Sequence, residues 1–210
     1  CTSHISVHLK FVEIHPRTML ADLGLRVPAY RRQLCLRDFY AQVLHHWPDS
    51  AHGYFQPAMA RMRYDTGKRA EERFEAWKQG RTGFPIVDAA MRQLRHEGWI
   101  HNRARLVAGS FLTKDLGIDW RWGERWFMRL LIDGDQANNN GNWQWIASVG
   151  VDPQPFFRRI YNPTLQMQRH DPEGRYVRRH VEELREVPGE YLAEPWTMPE
   201  EVQEKCGCVI

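Results

Sequence analysis

Trp99, Asn102 and Arg105 stand three residues apart, a spacing that brings side chains together on one face of an α-helix. An indole, an amide and a guanidinium on one face suit a planar, polar, anionic ligand. The bland alternative is a core tryptophan beside a solvated arginine. A second group starts at Asp133-Gly134-Asp135 and runs on at intervals of four through Asn139 to Trp143. If a helix starts near Ala137, Asn139 and Trp143 share a face. The aspartates then either cap that helix or serve the same site. An uncharged amide such as Asn139 can donate or accept as a ligand changes its protonation. Trp143 and Trp145, two apart, point to roughly opposite sides of such a helix. One can serve an inner site while the other lines an outer cavity, or both can be core. The hydroxyl-rich start, Cys1-Thr2-Ser3-His4-Ile5-Ser6, offers Oγ and N–H groups for phosphate, although such loops are common.

These groups need helices to hold them, and the patterning supplies helices. Tyr30 to Trp47 predicts a long amphipathic helix, on which Tyr30, Gln33 and Arg37 share a face. Arg69 to Gln79 is charged on one side and carries Phe74 and Trp77 on the other. Pro85 sits at a first-turn position, and Ile86, Ala90 and Leu94 form a stripe that ends at Gly98. His101 to Leu116 and Gly123 to Ile132 continue the periodicity. No segment alternates with period two long enough to predict a strand. After Asp152 the chain is proline-rich and expected to be irregular.

A chain of 210 residues supports one large domain or two small ones. Nine tryptophans exceed ordinary usage. Core packing accounts for most of them, but several stand beside Asn, Arg and Asp, as in a stacking or redox site. The net charge of +3 is carried mostly by arginine, the side chain suited to bidentate phosphate contacts or simply to a solvated surface. The four cysteines lack zinc-ligand spacing, so no metal is expected, and reduced thiols of a cytoplasmic protein are. No apolar run approaches a membrane span and no leader pattern is present, so no membrane association is expected.

From Thr82 the chain reads T-G-F-P-I-V-D-A-A-M-R-Q-L, then G-W-I-H-N-R-A-R, F-L-T-K-D-L, D-W-R-W-G-E-R and D-G-D-Q-A-N-N-N-G-N-W-Q-W. In this order and at these intervals, the blocks resemble the C-terminal helical, flavin-binding domain of the photolyase/cryptochrome family, and weaker matches run from Thr2 to the end. The resemblance implies an all-α fold with FAD as cofactor. It maps Trp99, Asn102 and Arg105 around the flavin, Asp133 onto the partner of Arg105, Asp135 near the ring edge and ribityl chain, and Asn139 opposite N5. Thr2, Ser3 and Ser6 fall on the flavin pyrophosphate, and Gln33 and Arg37 in the flavin and substrate pocket. Trp143 resembles the flavin-proximal member of an electron-transfer chain and Trp120 its middle member. Trp145 resembles a wall for a flipped-out base dimer. The implied activity is blue-light repair of cyclobutane pyrimidine dimers by electron transfer from reduced FAD, with Trp143, Trp120 and Asn139 as the catalytic set. The implied partner is damaged DNA and the expected state a monomer. Arg103, Arg158 and Arg159 are candidates for DNA phosphates, with a solvated face as the alternative for each. Asn102 stands where (6-4) photolyases carry His, which favours the cyclobutane type. Two other readings are a cryptochrome-like photoreceptor without a DNA substrate and a non-catalytic remnant with a decayed flavin pocket.

Departures from the family pattern qualify these expectations. The chain begins inside the phosphate loop and stops at Val209-Ile210, before the family's closing segment, so residues 1–210 are expected to form one incomplete domain without the N-terminal α/β antenna domain. His4 stands for Arg, Val7 for Pro or Ala, and His8 for Tyr. Val12-Glu13 puts a carboxylate where helix packing is expected. Gln33 keeps hydrogen bonding but cannot deliver a proton. Leu36 stands where many photolyases have a second aromatic wall. The slot of the distal electron-chain tryptophan falls at Gly67, with Tyr64 as the nearest aromatic.

Overall fold

Proline and side-chain caps start most of the helices. The computed structural model describes residues 2–24, 26–152 and 154–208. Cys1 and Val209-Ile210, on which expectations fell, lie outside the described residues. Proline occupies the first turn of α2 (Pro16–Leu23), α3 (Pro28–His46), α5 (Pro85–Glu97) and α9 (Pro163–His170), where its missing N–H costs nothing. Before α2 come the short α1 (Ser6–Lys10), and between α3 and α5 the charged α4 (Lys68–Gln79). The chain continues as α6 (Asn102–Ser110), a π-helical turn (Phe111–Asp115), α7 (Trp120–Leu130) and α8 (Gln136–Ile146). Among the described residues no β-strand forms, so the all-α expectation holds.

The core is built around α5. Its residues Ile86 to Met91 and Leu94 are buried nearly all round, because α4, α6, α9 and α10 (Arg175–His180) surround it. At its head, Asp88 accepts from Thr82 N and Oγ1 at 2.7 Å and from Gly83 N at 3.0 Å. Burial pushes the Asp88 carboxyl up, and these bonds pull it back. The Thr82-Gly83-Phe84-Pro85 block therefore builds the fold rather than the site. Gly98 closes α5 at φ 60°, a conformation glycine adopts without penalty, and turns the chain toward Trp99.

A smaller core of Leu9, Met19 and Leu34 holds α1 and α2 to α3. α8 packs between α3 and α7. Buried amides fix it there: Gln144 accepts from Phe55 N at 2.8 Å and donates to Ser50 O at 2.9 Å, while Asn140 donates to Ala51 O at 3.1 Å.

Two expectations change. α7 starts at Trp120 rather than Gly123, because Asp119 Oδ1 caps it by accepting from Arg121 N at 2.9 Å. The part after Asp152 is less irregular than its prolines suggest. It holds α9, α10 and α11 (Glu200–Cys206), with Asn162 capping α9. Among the described residues, no helix is long and apolar enough to cross a membrane. Among the described residues, no group of three His, Cys, Asp or Glu could hold a metal ion.

Candidate cofactor site

Between the N-terminal segment, α3, the start of α6 and α8 lies a cavity of about 490 Å³, within the range of cofactor sites. All eleven residues expected at a cofactor line it. Thr2, Ser3 and Ser6 come from the N-terminal segment, and Gln33 and Arg37 from α3. Trp99, Asn102 and Arg105 come from the α5–α6 junction. Asp133, Asp135 and Asn139 surround the start of α8. Trp143 joins them and is only 5 % exposed.

Charge in the cavity is compensated. Arg105 Nη2 meets Asp133 Oδ1 at 3.2 Å and Oδ2 at 3.3 Å, with the Asp133 side chain 5 % and the Arg105 side chain 28 % exposed. Arg105 Nε also donates to Ile100 O at 3.3 Å. The guanidinium thus keeps an exposed edge toward the cavity while neutralising a buried carboxylate. Asp135 does both things its sequence allowed. It caps α8, accepting from Asn138 N at 2.8 Å, and it faces the cavity.

Asn139 is held by a residue the sequence reading missed. Its Nδ2 donates to the backbone oxygen of Glu124 at 3.0 Å and to Oε1 at 3.1 Å. Burial pushes the Glu124 carboxyl up, against the pull of the Asn139 bond. Glu124 lies in the D-W-R-W-G-E-R block, which gave a location but no role.

The N-terminal segment is tied to the wall it faces. The rings of His4 and Trp99 lie 4.0 Å apart, Trp99 Nε1 donates to Ser6 Oγ at 3.3 Å, and Ser3 Oγ is 3.2 Å from Tyr30 Oη. At His4, where the family pattern has Arg, a tilted ring contact with Trp99 is made. Glu13 does not disturb helix packing as expected. It pairs with His8 at 2.6 Å on the surface, so two departures from the family pattern meet each other.

Behind the cavity, Trp143 packs edge-on against Phe127 at 5.0 Å and against Trp77 at 6.2 Å. Gly123 makes this approach possible, since a Cβ there would lie 2.2 Å from the Trp143 ring. Trp120 is buried, and the aromatic ring against it is Tyr54 at 6.2 Å, whose hydroxyl donates to Tyr64 at 3.4 Å. Counting along the sequence pointed to Tyr64. In the fold Tyr54 touches both, its ring against Trp120 and its hydroxyl on that of Tyr64.

The residues expected at DNA divide. Arg103 is half-buried with its guanidinium 5.9 Å over the Tyr161 ring, and Arg158 is exposed. Arg159 is a correction: its guanidinium donates to Trp145 O, Asp152 O and the Asp152 carboxylate, and at 4 % exposure it is withdrawn from the surface where a phosphate would lie. Trp145 is half-buried and lies outside the cavity lining, one turn beyond Asn142, which does line it. Leu36 is exposed and also outside the lining.

A cavity with hydroxyls at one end, an ion-paired arginine along its wall and an aromatic floor, held in an all-helical frame, defines a helical cofactor-binding domain rather than an α/β nucleotide fold. Residues 30–210 match the family described as the FAD binding domain of DNA photolyase, and the chain belongs to that family. It is similar to the deoxyribodipyrimidine photo-lyase of Streptomyces griseus, 48 % identical over 94 % of this chain and 43 % of the relative. It is similar to that of Escherichia coli, 44 % identical over 93 % of this chain and 43 % of the relative. Its fold is similar to a bacterial class III photolyase from Agrobacterium tumefaciens, with TM-score 0.92 and 38 % identity, covering 100 % of this chain and 44 % of that one. A cryptochrome from Synechocystis gives TM-score 0.90 and 33 % identity over 99 % of this chain and 44 % of that one. The chain thus spans less than half the length of these relatives.

Proposed function

We propose that this chain binds FAD and serves the blue-light repair of pyrimidine dimers in DNA. The observation that carries the reading is the convergence on one cavity of the eleven residues that the family resemblance assigns to the flavin. The donor set suits FAD. Hydroxyls of Thr2, Ser3 and Ser6 suit its phosphates, the Trp99 indole offers an aromatic surface, and Arg105 supplies a cation beside a ligand that carries negative charge.

Bound there, the flavin supplies light absorption and the transferable electron; the protein supplies geometry and surroundings. In this reading Asn139, with Nδ2 spent on Glu124, presents Oδ1 as its free end to the ligand. Arg105 holds negative charge without admitting a bare buried carboxylate, because Asp133 is already paired with it. Trp143 and Trp120 serve as electron carriers from the core side. Trp145 offers a stacking surface outside the cavity, where Arg103 and Arg158 offer charge to phosphates.

A photoreceptor reading has one observation of its own. Leu36, which stands where many photolyases have a second aromatic wall, is exposed and lies outside the cavity lining. The test is blue-light treatment of dimer-containing single-stranded DNA with the FAD-loaded chain. Light- and FAD-dependent loss of dimers supports repair. FAD binding without dimer loss supports the receptor, and failure to bind FAD supports the remnant.

A further inference from the structure

α8 ends without a cation of its own: no Lys or Arg lies in its last turn. The end of a helix carries partial negative charge on its free carbonyls, and a cation there stabilises it. Two other elements supply one each. Arg159, from the 3₁₀ turn Phe156–Arg159, donates through Nη1 to Trp145 O at 2.6 Å and to Asp152 O at 3.0 Å. Lys114, from the π turn, donates through Nζ to Ala147 O at 3.1 Å and to Ser148 Oγ at 3.2 Å.

The two cations also touch rings. Arg159 Cζ lies 3.9 Å from the Trp145 ring, and Lys114 Nζ lies 3.6 Å from the Phe156 ring. Arg159 is anchored in turn, since its backbone oxygen accepts from Ser110 Oγ at 3.1 Å, which itself accepts from Tyr161 N at 3.0 Å. Lys114 lies on the π turn that follows α6. One wide turn after α6 shifts the register, and such turns gather at functional sites.

We infer that Lys114 and Arg159 clamp the end of α8 from two sides and are positioning residues for Trp145, holding its indole as a base-stacking surface beside the cavity mouth. The role as a stacking surface rests on the repair reading; the clamp on Trp145 does not. Neither cation touches the cofactor cavity, so their loss acts on Trp145 and not on flavin contacts.

The clamp has a pH dependence of its own. Burial, and next the charge of Arg159, lower the Lys114 amine from 10.5 to about 8. Arg159 is itself paired with Asp152, and Asp115 follows Lys114 on the π turn with its carboxyl raised by burial. Tyr40 of α3 lies in the field of Arg159 and Asp152 and is held neutral by burial. A lysine whose folded pKa lies below its unfolded one leaves the folded state with fewer protons between the two values. Its contribution to stability therefore rises from about pH 8 toward 10.5. Loosening of Trp145 on deprotonation is thus separable from unfolding.

The test uses the whole chain labelled with 5-fluorotryptophan, with the Trp145 resonance assigned by Trp145→Phe. In the wild type that resonance should titrate with a midpoint of about 8, while that of buried Trp77 stays in place. Lys114→Met should show the high-pH position at neutral pH. Lys114→Arg, which keeps a permanent cation, should abolish the titration and restore the neutral-pH position. A Trp145 resonance unmoved by pH and by Lys114→Met overturns the clamp. The second arm compares binding to dimer-containing and undamaged DNA. Lys114→Met should lower the preference for damage roughly tenfold, the scale of one stacking contact, and Lys114→Arg should keep it. If the resonance moves but the preference does not, Trp145 is not a stacking surface and that part of the inference falls. If no form prefers damaged DNA, the repair reading fails while the clamp stands.

Discussion

Asn139 spends both hydrogens of its amide on Glu124, at 3.0 Å to the backbone oxygen and 3.1 Å to Oε1. One residue outside the cavity thus fixes the amide of a residue in its lining. Burial raises the Glu124 carboxyl, so its ionised form is disfavoured in the fold. For an acid of this kind, stability is present below the unfolded pKa and is lost as pH rises through the folded one. Glu124→Gln keeps an acceptor and removes the charge. It should leave FAD affinity unchanged and keep or raise the melting temperature at pH 7. Glu124→Leu removes the acceptor, leaving an amide hydrogen unpaired at about 1–3 kcal/mol, and should weaken FAD binding. Melting curves and FAD titrations check both. Equal damage from the two substitutions would show that charge, not the acceptor, matters.

The Arg105–Asp133 pair predicts an asymmetric response. Arg105→Leu strands a carboxylate that is 5 % exposed. Because Arg105 itself is partly exposed, the cost belongs at the lower end for a broken buried pair, about 3 kcal/mol. For a domain of this size that is a fall in melting temperature of roughly 10 °C. Restoring neutrality with Arg105→Leu plus Asp133→Asn should recover part of the loss. An unchanged melting temperature in the single variant contradicts the pairing.

Gly123 predicts a steric route to the cofactor. An added Cβ would meet the Trp143 ring at 2.2 Å and Leu112 Cδ2 at 2.6 Å. Neither neighbour is the end of a flexible chain in open space, so Gly123→Ala should cost about 1–3 kcal/mol through overpacking. It should also move Trp143 into the cavity and lower FAD affinity. Thermal melting and a flavin fluorescence titration read the two effects separately. Full stability with unchanged FAD binding would contradict the packing described.

His4 predicts a smaller, local effect. Its ring lies 4.0 Å from Trp99, one of three contacts that tie the N-terminal segment to the cavity wall. His4→Ala removes an aromatic contact of about 0.5–1.5 kcal/mol and should weaken FAD binding roughly two- to tenfold. His4→Phe should keep most of the affinity if stacking is the role. A loss as large with Phe as with Ala would assign the effect to the imidazole nitrogens instead.

Much of this was legible in the sequence because local rules agreed with tertiary ones. Pro16 and Pro85 stand at helix starts, Gly98 at a helix end, and intervals of three and four carried Asn102, Arg105 and Asn139 to one cavity. Some misses were also local. Asp119 before Trp120 and Asn162 before Pro163 are cap signals that set the true starts of α7 and α9. Others depend on packing that no short spacing encodes. Nothing in Arg158-Arg159 says that the first is exposed and the second buried against Trp145. The Tyr54 ring beside Trp120 and the Glu124 grip on Asn139 join segments brought together only by the fold. The His8–Glu13 pair joins two departures from the family pattern, of which only Glu13 looked unfavourable in the sequence.

The central claim is that this cavity holds FAD in a form that repairs DNA. The direct measurement is dimer loss from single-stranded DNA by the purified chain, with FAD and blue light each supplied or withheld. The account predicts loss of dimers only when both are present, reduced by Arg105→Leu in step with FAD occupancy. A chain that retains bound FAD yet leaves the dimers intact under blue light would contradict it.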